Sequence, residues 1–341
     1  MVLEIRTPSP VRQLVELSGP ATLWVKDDGE CIASALDSTH SLIREAPARR
    51  QLYGGNKVRK LAQLMPYAVS GGARRVLTIG TAGSHHALAT ALLARVYGLE
   101  SVLFLLPQPF SAHAECMLKA NLRHATRVVT VSSPAALAYR MASTLRPNDY
   151  VIPPGASNAR GAGAFAQAAL ELERQVTRGE LPEPETIVVA LGSGGTAAGL
   201  AAGLVASRLR SRVVAVDVVN RGHWTGFWTR NLAARILRSR GLSSARLDQH
   251  LEIVEPNYGS YGVPHAAGNE AAARAGRLGL TLEPVYTAKA FAFALTIAQS
   301  KGARGPVLYW HTYSACEPPR EPAEIPSASA WRDARRLLVP C

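Results

Sequence analysis

Three short stretches of the sequence place chemically useful side chains beside flexible backbone. The first, "YGGNKVRKL" (53–61), carries Lys57 directly after Gly54, Gly55 and Asn56. The chain has only six lysines among its 38 Lys+Arg residues, so a lysine at a Gly-Gly step suggests a chemical role. A lysine amine beside a desolvated pocket can form a Schiff base with a carbonyl compound. The stretch therefore predicts a reactive amine at position 57.

The second stretch, "VVALGSGGTAAGL" (188–200), runs from an apolar strand through a glycine loop into a helix. Such a loop brings backbone N–H groups close to a ligand, and the helix dipole favours a phosphate there. The loop does not end in G-K-[ST], so it is not a Walker A motif. The residues of this predicted phosphate site are Gly192, Ser193, Gly194, Gly195 and Thr196.

The same stretch has a second interpretation. Gly192, Gly194 and Ala197 also fit the dinucleotide pattern G-x-G-x-x-A, and Asp217 at the end of the next strand could bind a ribose hydroxyl. A nicotinamide-dependent oxidoreductase therefore stays open as a rival. It leaves Lys57 without a role.

The third stretch, "TIGTAGSHHALAT" (78–90), is another strand, loop and helix. Ser84 is a candidate N-cap, and its hydroxyl with the following amides could bind a carboxylate. His85 and His86 fall in the first helical turn, where the dipole disfavours imidazolium and lowers the pKa. Because neighbouring residues of a helix point in different directions, at most one of these histidines is expected in a site.

Together the three stretches supply the parts that a pyridoxal phosphate enzyme needs. Lys57 holds the aldehyde, the glycine loop holds the phosphate, and the Ser84 loop holds the amino acid. Elsewhere, apolar strand runs alternate with Ala/Leu-rich helical runs, which is typical of parallel sheets covered on both faces. Strands are predicted at 22–26, 75–80, 101–107, 127–131, 150–154, 186–191, 212–219 and 306–312. Helices are predicted at 57–70, 84–97, 111–123, 134–146, 161–178, 196–209, 223–240, 265–278 and 287–301, with a short terminal helix.

Composition narrows the class of protein. The net charge of +13 comes from arginines spread along the chain without interleaved aromatics, so no nucleic-acid partner is expected. No apolar run is long enough for a membrane span, and the N-terminus does not resemble a signal peptide. The four cysteines are scattered, which predicts reduced thiols in the cytoplasm and no metal site.

Several motifs resemble one known family. "GGNKVRKL", "VIPPGASNARGAGAF", "LGSGGTAAGL", "NYGSYGVP" and "EPVYTAKAF" are similar to motifs of the D-cysteine desulfhydrase / 1-aminocyclopropane-1-carboxylate deaminase family. The resemblance covers about residues 20–315. It implies an α/β fold of type II, related to the tryptophan synthase β subunit, with two mainly parallel open sheets flanked by helices. It also implies a small domain at 57–160, a large domain formed by 1–56 and 161–341, and cofactor and substrate between them.

The resemblance also implies residue roles. Lys57 would bond to the cofactor and shuttle the α-proton, with Asn56 and His85 beside the cofactor and the 192–196 loop on its phosphate. Thr287 would face the pyridine nitrogen. The substrate would be a small amino acid, and the protein a cytoplasmic homodimer that binds neither nucleic acid nor membrane. The substrate side would be lined by Ser84, His85, His86, Tyr261, Tyr286 and Tyr313.

Departures from the family pattern bear on the substrate. Members that open the cyclopropane ring have Glu after the tyrosine, where this chain has Thr287; a hydroxyl suits β-elimination better. His85 replaces Asn, Glu283 replaces Asp, and Ala288 replaces Gly. "HTYSA" (311–315) occupies the position where the family has H-T-G-G. Residues 27–52 form a longer connection than the short turn that the family has there. The expected reaction is α,β-elimination; β-replacement, deamination, racemisation and a cofactor-binding homologue without turnover stay open.

Overall fold

The computed structural model describes residues 5, 7–30, 44–46, 49–51, 53–220, 223–259, 262–314, 316–318 and 327–340. The chain divides into two compact units. The first unit comprises Met1–Ile5, Ile32–Ala156 and Cys316–Cys341, and the second comprises Arg6–Cys31 and Ser157–Ala315. The domain limits at 57–160 stay a prediction.

The described residues contain the following elements in chain order. The strands are β1 (Val11–Gln13), β2 (Leu23–Asp27), β3 (Arg44–Ala46), β4 (Arg49–Gln51), β5 (Arg75–Thr81), β6 (Glu100–Leu106), β7 (Gln108–Pro109), β8 (Arg127–Thr130), β9 (Asp149–Ile152), β10 (Thr186–Leu191), β11 (Arg212–Asp217), β12 (Leu251–Val254), β13 (Val307–His311) and β14 (Leu338–Val339). The helices are α1 (Asn56–Ser70), α2 (His85–Val96), α3 (Ala112–His124), α4 (Pro134–Thr144), α5 (Ala159–Thr177), α6 (Gly195–Ala206), α7 (His223–Arg238), α8 (Leu247–His250), α9 (Ala266–Gly276), α10 (Thr287–Gln299) and α11 (Ala328–Arg335). Short 3₁₀ turns lie at Val15–Leu17, Asp28–Glu30 and Pro154–Ala156.

The first unit is built on a parallel sheet of four strands in the order β8-β6-β5-β9. Its central strands are continuous apolar runs because both faces are buried, as Leu103 and Phe104 show with no exposed surface. The end of the chain belongs to this unit: β14 pairs with β7, and Leu337 packs in the cluster that contains Ala87 of α2. The carboxyl end of β5 leads into the Ser84 loop.

The second unit is built on six strands in the order β1-β2-β13-β10-β11-β12, all parallel except the β1–β2 pair. Helix α6 follows the central strand β10 and lies very close to α5. A Cβ at Gly199 would lie 2.1 Å from the Ala162 carbonyl oxygen, and one at Gly203 would lie 2.5 Å from that of Ala166. The glycines therefore allow the close approach that holds α6 behind the glycine loop.

The α/β fold class predicted from the sequence is confirmed, and each of the eight predicted strands and nine predicted helices is present. The sequence missed six strands and one helix, which are too short to show a periodic pattern: β1, β3, β4, β7, β12, β14 and α8. The predicted terminal helix is α11. In the irregular segment 27–52, the structure describes 27–30 and the β3–β4 hairpin; the rest lies outside the described residues.

The structure bears on two expectations drawn from composition, which concern membrane spans and the cysteines. No helix within the described ranges has the length and apolarity needed to cross a lipid bilayer. Cys116 is a free thiol and Cys316 is half-buried, while Cys31 and Cys341 lie outside the described residues.

Candidate active site

Lys57 lies in the first turn of α1, in the first unit. The two preceding glycines have φ angles of 145° at Gly54 and 53° at Gly55, values that side chains with a Cβ rarely adopt. This backbone turns the chain sharply into the helix. The half-buried Lys57 donates a hydrogen bond from Nζ to Oδ1 of Asn56 at 3.1 Å. Asn56 therefore orients the amine.

A second lysine lies one turn further along the same helix. Lys60 is buried and donates from Nζ to the carbonyl oxygen of Gly155 at 3.1 Å. Burial, and next the charge of Lys57, lower the pKa of Lys60 to about 7. The region around Lys57 therefore disfavours a further positive charge.

The Ser84 loop joins β5 to α2 and is held from three directions. The Ser84 Oγ accepts the N–H of Ala87 at 3.1 Å, so the predicted N-cap is confirmed. Gln108 of β7 accepts the N–H of Gly83 through Oε1 at 2.8 Å. Asn121 of α3 donates from Nδ2 to the Ser84 carbonyl oxygen at 3.3 Å. The loop presents the Ser84 hydroxyl proton and the amides of the first turn of α2 that precede Ala87, which have no acceptor within the helix.

His85 and His86 point in different directions, as expected for neighbours on a helix. The His85 ring nitrogens bond to the Tyr53 hydroxyl and, at 2.8 Å, to Nε2 of His113. A ligand atom would have to displace one of these partners to bind the ring, whereas the His85 amide stays on the loop. Burial, and next the charge of Lys57, lower the pKa of His85 well below its usual value.

His86 points into the interior of the first unit. Its Nε2 lies 2.9 Å from the Thr78 hydroxyl, which donates its own proton to the Ile152 carbonyl oxygen at 2.9 Å. His86 must therefore donate from Nε2, and it is neutral. Its pKa falls to about 3, chiefly because the ring is buried. The predicted lowering is confirmed for both histidines, but burial is its main cause.

The glycine loop of the second unit leads from β10 into α6. Gly194 has φ 82° and is the N-cap, so the N-cap residue itself has no side chain to cap the first turn. A Cβ at Gly194 would lie 2.5 Å from the Thr229 hydroxyl, and one at Gly192 would lie 2.8 Å from the Tyr286 ring. The positive φ favours glycine at position 194, and a side chain at position 192 would have to displace the Tyr286 ring. The Gly195 N–H donates to Ser157 Oγ at 3.2 Å, and that oxygen lies 2.8 Å from Ser193 Oγ.

Thr287 follows Tyr286 at the start of α10 and is buried against Glu283. Its hydroxyl accepts the N–H of Glu283 at 2.8 Å, while Oε1 of Glu283 accepts the N–H groups of Tyr286 and Thr287, each at 2.7 Å. The carboxylate of Glu283 is thus used to cap the helix. The Thr287 hydroxyl in turn donates its proton to the Glu283 carbonyl oxygen at 3.1 Å.

The remaining residues of the predicted site are placed as follows. Tyr313 is half-buried, just after β13, and Tyr261 lies outside the described residues. Asp217, the ribose ligand of the rival interpretation, is buried and accepts the N–H groups of Val219 and Asn220 through Oδ1. That carboxylate therefore stabilises a turn at the end of β11.

Comparison with known proteins agrees with this geometry. The profile of the family described as "Pyridoxal-phosphate dependent enzyme" matches residues 49–312, which include Lys57, the Ser84 loop and the glycine loop. The chain belongs to this family. The nicotinamide interpretation is therefore wrong, and the fold type II architecture is confirmed.

Relatives within the family narrow the comparison. The chain is 34% identical to a D-cysteine desulfhydrase of Yersinia enterocolitica, over 77% of this chain and 82% of the relative. It is 32% identical to a protein of Pyrococcus horikoshii provisionally named 1-aminocyclopropane-1-carboxylate deaminase, over 76% of this chain and 79% of that relative. A crystal structure of a deaminase homologue of the same kind superposes with a TM-score of 0.75 at 26% identity, covering 98% of this chain and 94% of that one.

The residues present fit pyridoxal phosphate. Gly194 has no side chain of its own to cap the apolar helix α6 that follows, and it provides the backbone cradle that a phosphate dianion requires. Lys57 provides the amine, which Asn56 orients. The Ser84 loop provides a hydroxyl and amides for a carboxylate. The family match spans both the amine and the phosphate cradle.

Several residues around these groups could not be found by reading the sequence. Ser157 lies in the quoted motif "VIPPGASN", which was the one available signal for its contact with the glycine loop. His113, Gln108, Asn121 and Thr229 carry no local signal, because they reach the site from distant parts of the chain.

Proposed function

We propose that this enzyme is a lyase that removes the β-substituent of a small amino acid of the D-cysteine type, by α,β-elimination. With D-cysteine the products would be a 2-oxo acid, ammonia and sulfide. The identity of about one third to the D-cysteine desulfhydrase of Yersinia enterocolitica over most of both chains supports this substrate class. The basic charge of the chain is compatible with a small anionic substrate.

One observation favours elimination over ring opening. Position 287 carries a hydroxyl, and the nearby Glu283 carboxylate already accepts the N–H groups of Val285, Tyr286 and Thr287. The cofactor, when bound, supplies an electron sink at the substrate α-carbon. A carboxylate at position 287 would strengthen that sink by favouring the protonated pyridine ring. Elimination needs the stronger sink less, because the leaving group departs with the electrons.

The residues of the chain would have the following roles in the reaction. Lys57 would take the α-proton at Nζ, and the Ser84 hydroxyl with the first-turn amides of α2 would hold the substrate carboxylate. The glycine loop would hold the cofactor phosphate, with Ser157 fixing the loop. Tyr261 and Tyr286 would line the substrate side. These assignments follow the contacts of each unit and the family's motifs.

Deamination of 1-aminocyclopropane-1-carboxylate is the second candidate, because one relative carries that provisional name. Thr287 argues against it. A homologue that binds the cofactor without turnover is the third candidate, motivated by His85 and by Tyr313 and Ser314 in "HTYSA". We also propose a cytoplasmic homodimer, for which sedimentation velocity is the direct measurement of assembly.

The deciding experiment incubates the purified holoenzyme with D- and L-cysteine, β-chloro-D-alanine, β-chloro-L-alanine and 1-aminocyclopropane-1-carboxylate. Release of 2-oxo acid and ammonia is measured for each, with Lys57→Ala as the inactive control. We expect turnover of a β-substituted amino acid and little of the cyclopropane compound. Preferred ring opening would replace the proposal by deamination. Binding shifts in the visible spectrum without product would favour the homologue without turnover.

A further inference from the structure

The Ser84 loop is held at its Gly83 peptide by a residue of β7. Gln108, which is 8% exposed, accepts the Gly83 N–H through Oε1 at 2.8 Å. A Cβ at Gly83 would lie 2.8 Å from Nε2 of Gln108 and 3.0 Å from Cα of Ala114. The absence of a side chain at position 83 therefore lets the loop lie directly against both β7 and α3.

The bond to Gln108 limits how the loop can turn. Because a peptide group is planar, holding the Gly83 N–H holds the whole plane that joins Ala82 to Gly83. The next amide, that of Ser84, donates to the Thr81 carbonyl oxygen at 3.0 Å. Two consecutive amides are thus used within the protein, and they set the direction of the Ser84 hydroxyl and of the first turn of α2.

The strand that carries Gln108 depends on the end of the chain. Strand β7 has two residues, and its pairing partner in the part of the chain that the structure describes is β14. The Gln108 N–H donates to the Leu337 carbonyl oxygen at 2.9 Å, and the Phe110 N–H donates to that of Val339 at 2.8 Å. Pro109 between them has no N–H to donate. Both backbone donors of this stretch are therefore bound by the C-terminal segment 327–340.

Packing of the C-terminal segment supports this short pairing, since an isolated two-stranded pair is only marginally stable. Ala334 of α11 is 1% exposed and Leu337 is 4% exposed. Both belong to one apolar cluster with Ala82 and Ala87, which lie on either side of the Ser84 loop. The C-terminal segment thus packs in the same cluster as the loop and pairs with the strand that carries Gln108.

We propose that Gln108 is a positioning residue for the substrate carboxylate, and that the C-terminal segment keeps Gln108 in place. The inference rests on the proposed function, because the Ser84 loop binds a carboxylate only if the substrate is an amino acid. Gln108 acts through the loop, since its Oε1 is bonded to the Gly83 amide. The segment that holds it lies after residue 315, beyond the motifs that this chain shares with the family.

The first test needs no substrate. Hydrogen exchange of the holoenzyme is followed by mass spectrometry, with fragmentation that resolves the Gly83 amide. Gln108→Ala should speed exchange at Gly83 by at least about tenfold, because the acceptor of that N–H is lost. Gln108→Glu keeps an acceptor oxygen and should keep the slow exchange. Unchanged exchange at Gly83 in Gln108→Ala would overturn the positioning role.

A matched control separates the loop from general loss of stability. Leu99 is 7% exposed and precedes β6, at the amino end of the sheet, whereas the Ser84 loop follows the carboxyl end of β5. It packs in a different apolar cluster from Leu337. Both Leu99→Ala and Leu337→Ala leave a cavity and should lower the free energy of unfolding. Only Leu337→Ala should speed exchange at Gly83, and an equal effect of the two variants would overturn the role of the C-terminal segment.

The second test measures kinetics of the holoenzyme with the best substrate of the panel. Gln108→Ala should raise KM by about tenfold, the effect of one ordinary hydrogen bond, while kcat changes by less than about threefold. Cofactor affinity should stay within about twofold of wild type, because the glycine loop is untouched. A wild-type KM in Gln108→Ala would overturn the proposal.

A double variant tests whether the C-terminal segment acts through Gln108. Leu337→Ala alone should raise KM by about threefold, and Leu99→Ala should leave it unchanged. In Gln108→Ala/Leu337→Ala the increase should stay at about tenfold, because the second change has no bond left to disturb. An increase of about thirtyfold would mean that the segment acts independently of Gln108 and would overturn that part of the proposal.

The two tests also separate this inference from the proposed function. If no panel compound is consumed, the proposed function fails, while exchange at Gly83 still decides whether Gln108 holds the loop. If the panel shows turnover and KM is the same in wild type and Gln108→Ala, the proposed function stands and the positioning role is wrong.

Discussion

The Thr287 hydroxyl oxygen accepts the N–H of Glu283 at 2.8 Å, and the Glu283 carboxylate accepts the N–H of Thr287 at 2.7 Å. This reciprocal pair fixes the first turn of α10. It also places the Thr287 hydroxyl 3.3 Å from a carboxylate oxygen in a buried setting, where Thr287 is 2% exposed. The change that would make position 287 resemble the ring-opening enzymes therefore has a structural cost.

Thr287→Glu should lower the free energy of unfolding by about 3 kcal/mol, because it buries a second carboxylate beside Glu283. Adding Glu283→Gln should recover part of that loss, since the amide oxygen can still cap α10 without like-charge repulsion. Thr287→Val should cost about 1–2 kcal/mol for the lost acceptor of the Glu283 N–H. Urea denaturation measures all three. A single Thr287→Glu variant as stable as wild type would contradict the reciprocal pair.

The same variants test the reaction type. Wild type should consume 1-aminocyclopropane-1-carboxylate poorly, and the Thr287→Glu/Glu283→Gln variant should consume it faster relative to D-cysteine. Thr287→Val, which offers neither a hydroxyl nor a carboxylate, is the matched control. Efficient ring opening by the wild type would refute the argument from Thr287.

Lys57 should carry the cofactor. The purified protein should be yellow, and borohydride should bleach it and leave a pyridoxyl group on the Lys57 peptide. Lys60 is the alternative site of labelling, because its pKa of about 7 also makes it a reactive amine, one turn away from Lys57. Peptide mapping distinguishes the two. Lys57→Ala should retain some cofactor through the glycine loop and lose α-proton exchange; a label on Lys60 would reverse the assignment.

Gly194 should be essential for the phosphate cradle. Gly194→Ala forces φ 82° on a residue with a Cβ and places that Cβ 2.5 Å from the Thr229 hydroxyl. Gly179→Ala is the control, because Gly179 has φ 73° and no atom within 4 Å of the added Cβ. Both variants should lose about 1 kcal/mol of stability to backbone strain, and Gly194→Ala should lose more because its Cβ must displace the Thr229 hydroxyl. Only Gly194→Ala should weaken cofactor binding by tenfold or more, as measured by spectrophotometric titration, and equal losses in both would argue against a cradle.

The parts of this fold that the sequence predicted are those with local signals. Strands such as β5 and β10 were found because burial of both faces makes them continuous apolar runs. Ser84 was recognised as an N-cap because the capping bond spans three residues. Lys57 and the loop at Gly194 were found from their glycines, which mark backbone that other residues rarely adopt.

The parts that the sequence could not predict depend on long-range contacts. Gln108 and Asn121 reach the Ser84 loop from 25 and 37 residues away, and His113 meets His85 across 28 residues. The helix dipole correctly predicted a lowered pKa for His85, but burial depends on the packing of α2 and could only be seen in the structure. The replacement of aspartate by Glu283 gave no local signal that its carboxylate caps α10.

His86 should make the protein less stable in acid. Its native pKa of about 3 lies below the unfolded value of 6.5, so only the unfolded state gains the proton between these values. The stabilisation by neutral His86 is complete above about pH 7 and decreases as the pH falls. At pH 5 this group lowers the free energy of unfolding by roughly 2 kcal/mol. His86→Gln keeps a donor for Thr78 and does not titrate. Between pH 8 and pH 5, the free energy of unfolding of His86→Gln should therefore fall by less than that of the wild type, and the difference should be that amount. Equal decreases in the two proteins would mean that His86 is charged in the native state.

Residues after β13 and at the start of α2 should set substrate preference. Tyr313 is half-buried and Ser314 is buried where the family has two glycines, so the Tyr313→Gly/Ser314→Gly variant should enlarge the space on that side of the site. His85→Asn should restore the family residue, keep the cofactor, and break the bridge between Tyr53 and His113. Each change should raise kcat/KM for D-cysteine relative to the best panel substrate. If every variant keeps the wild-type ratio, neither position sets specificity, and the unusual 27–52 segment becomes the next region to exchange.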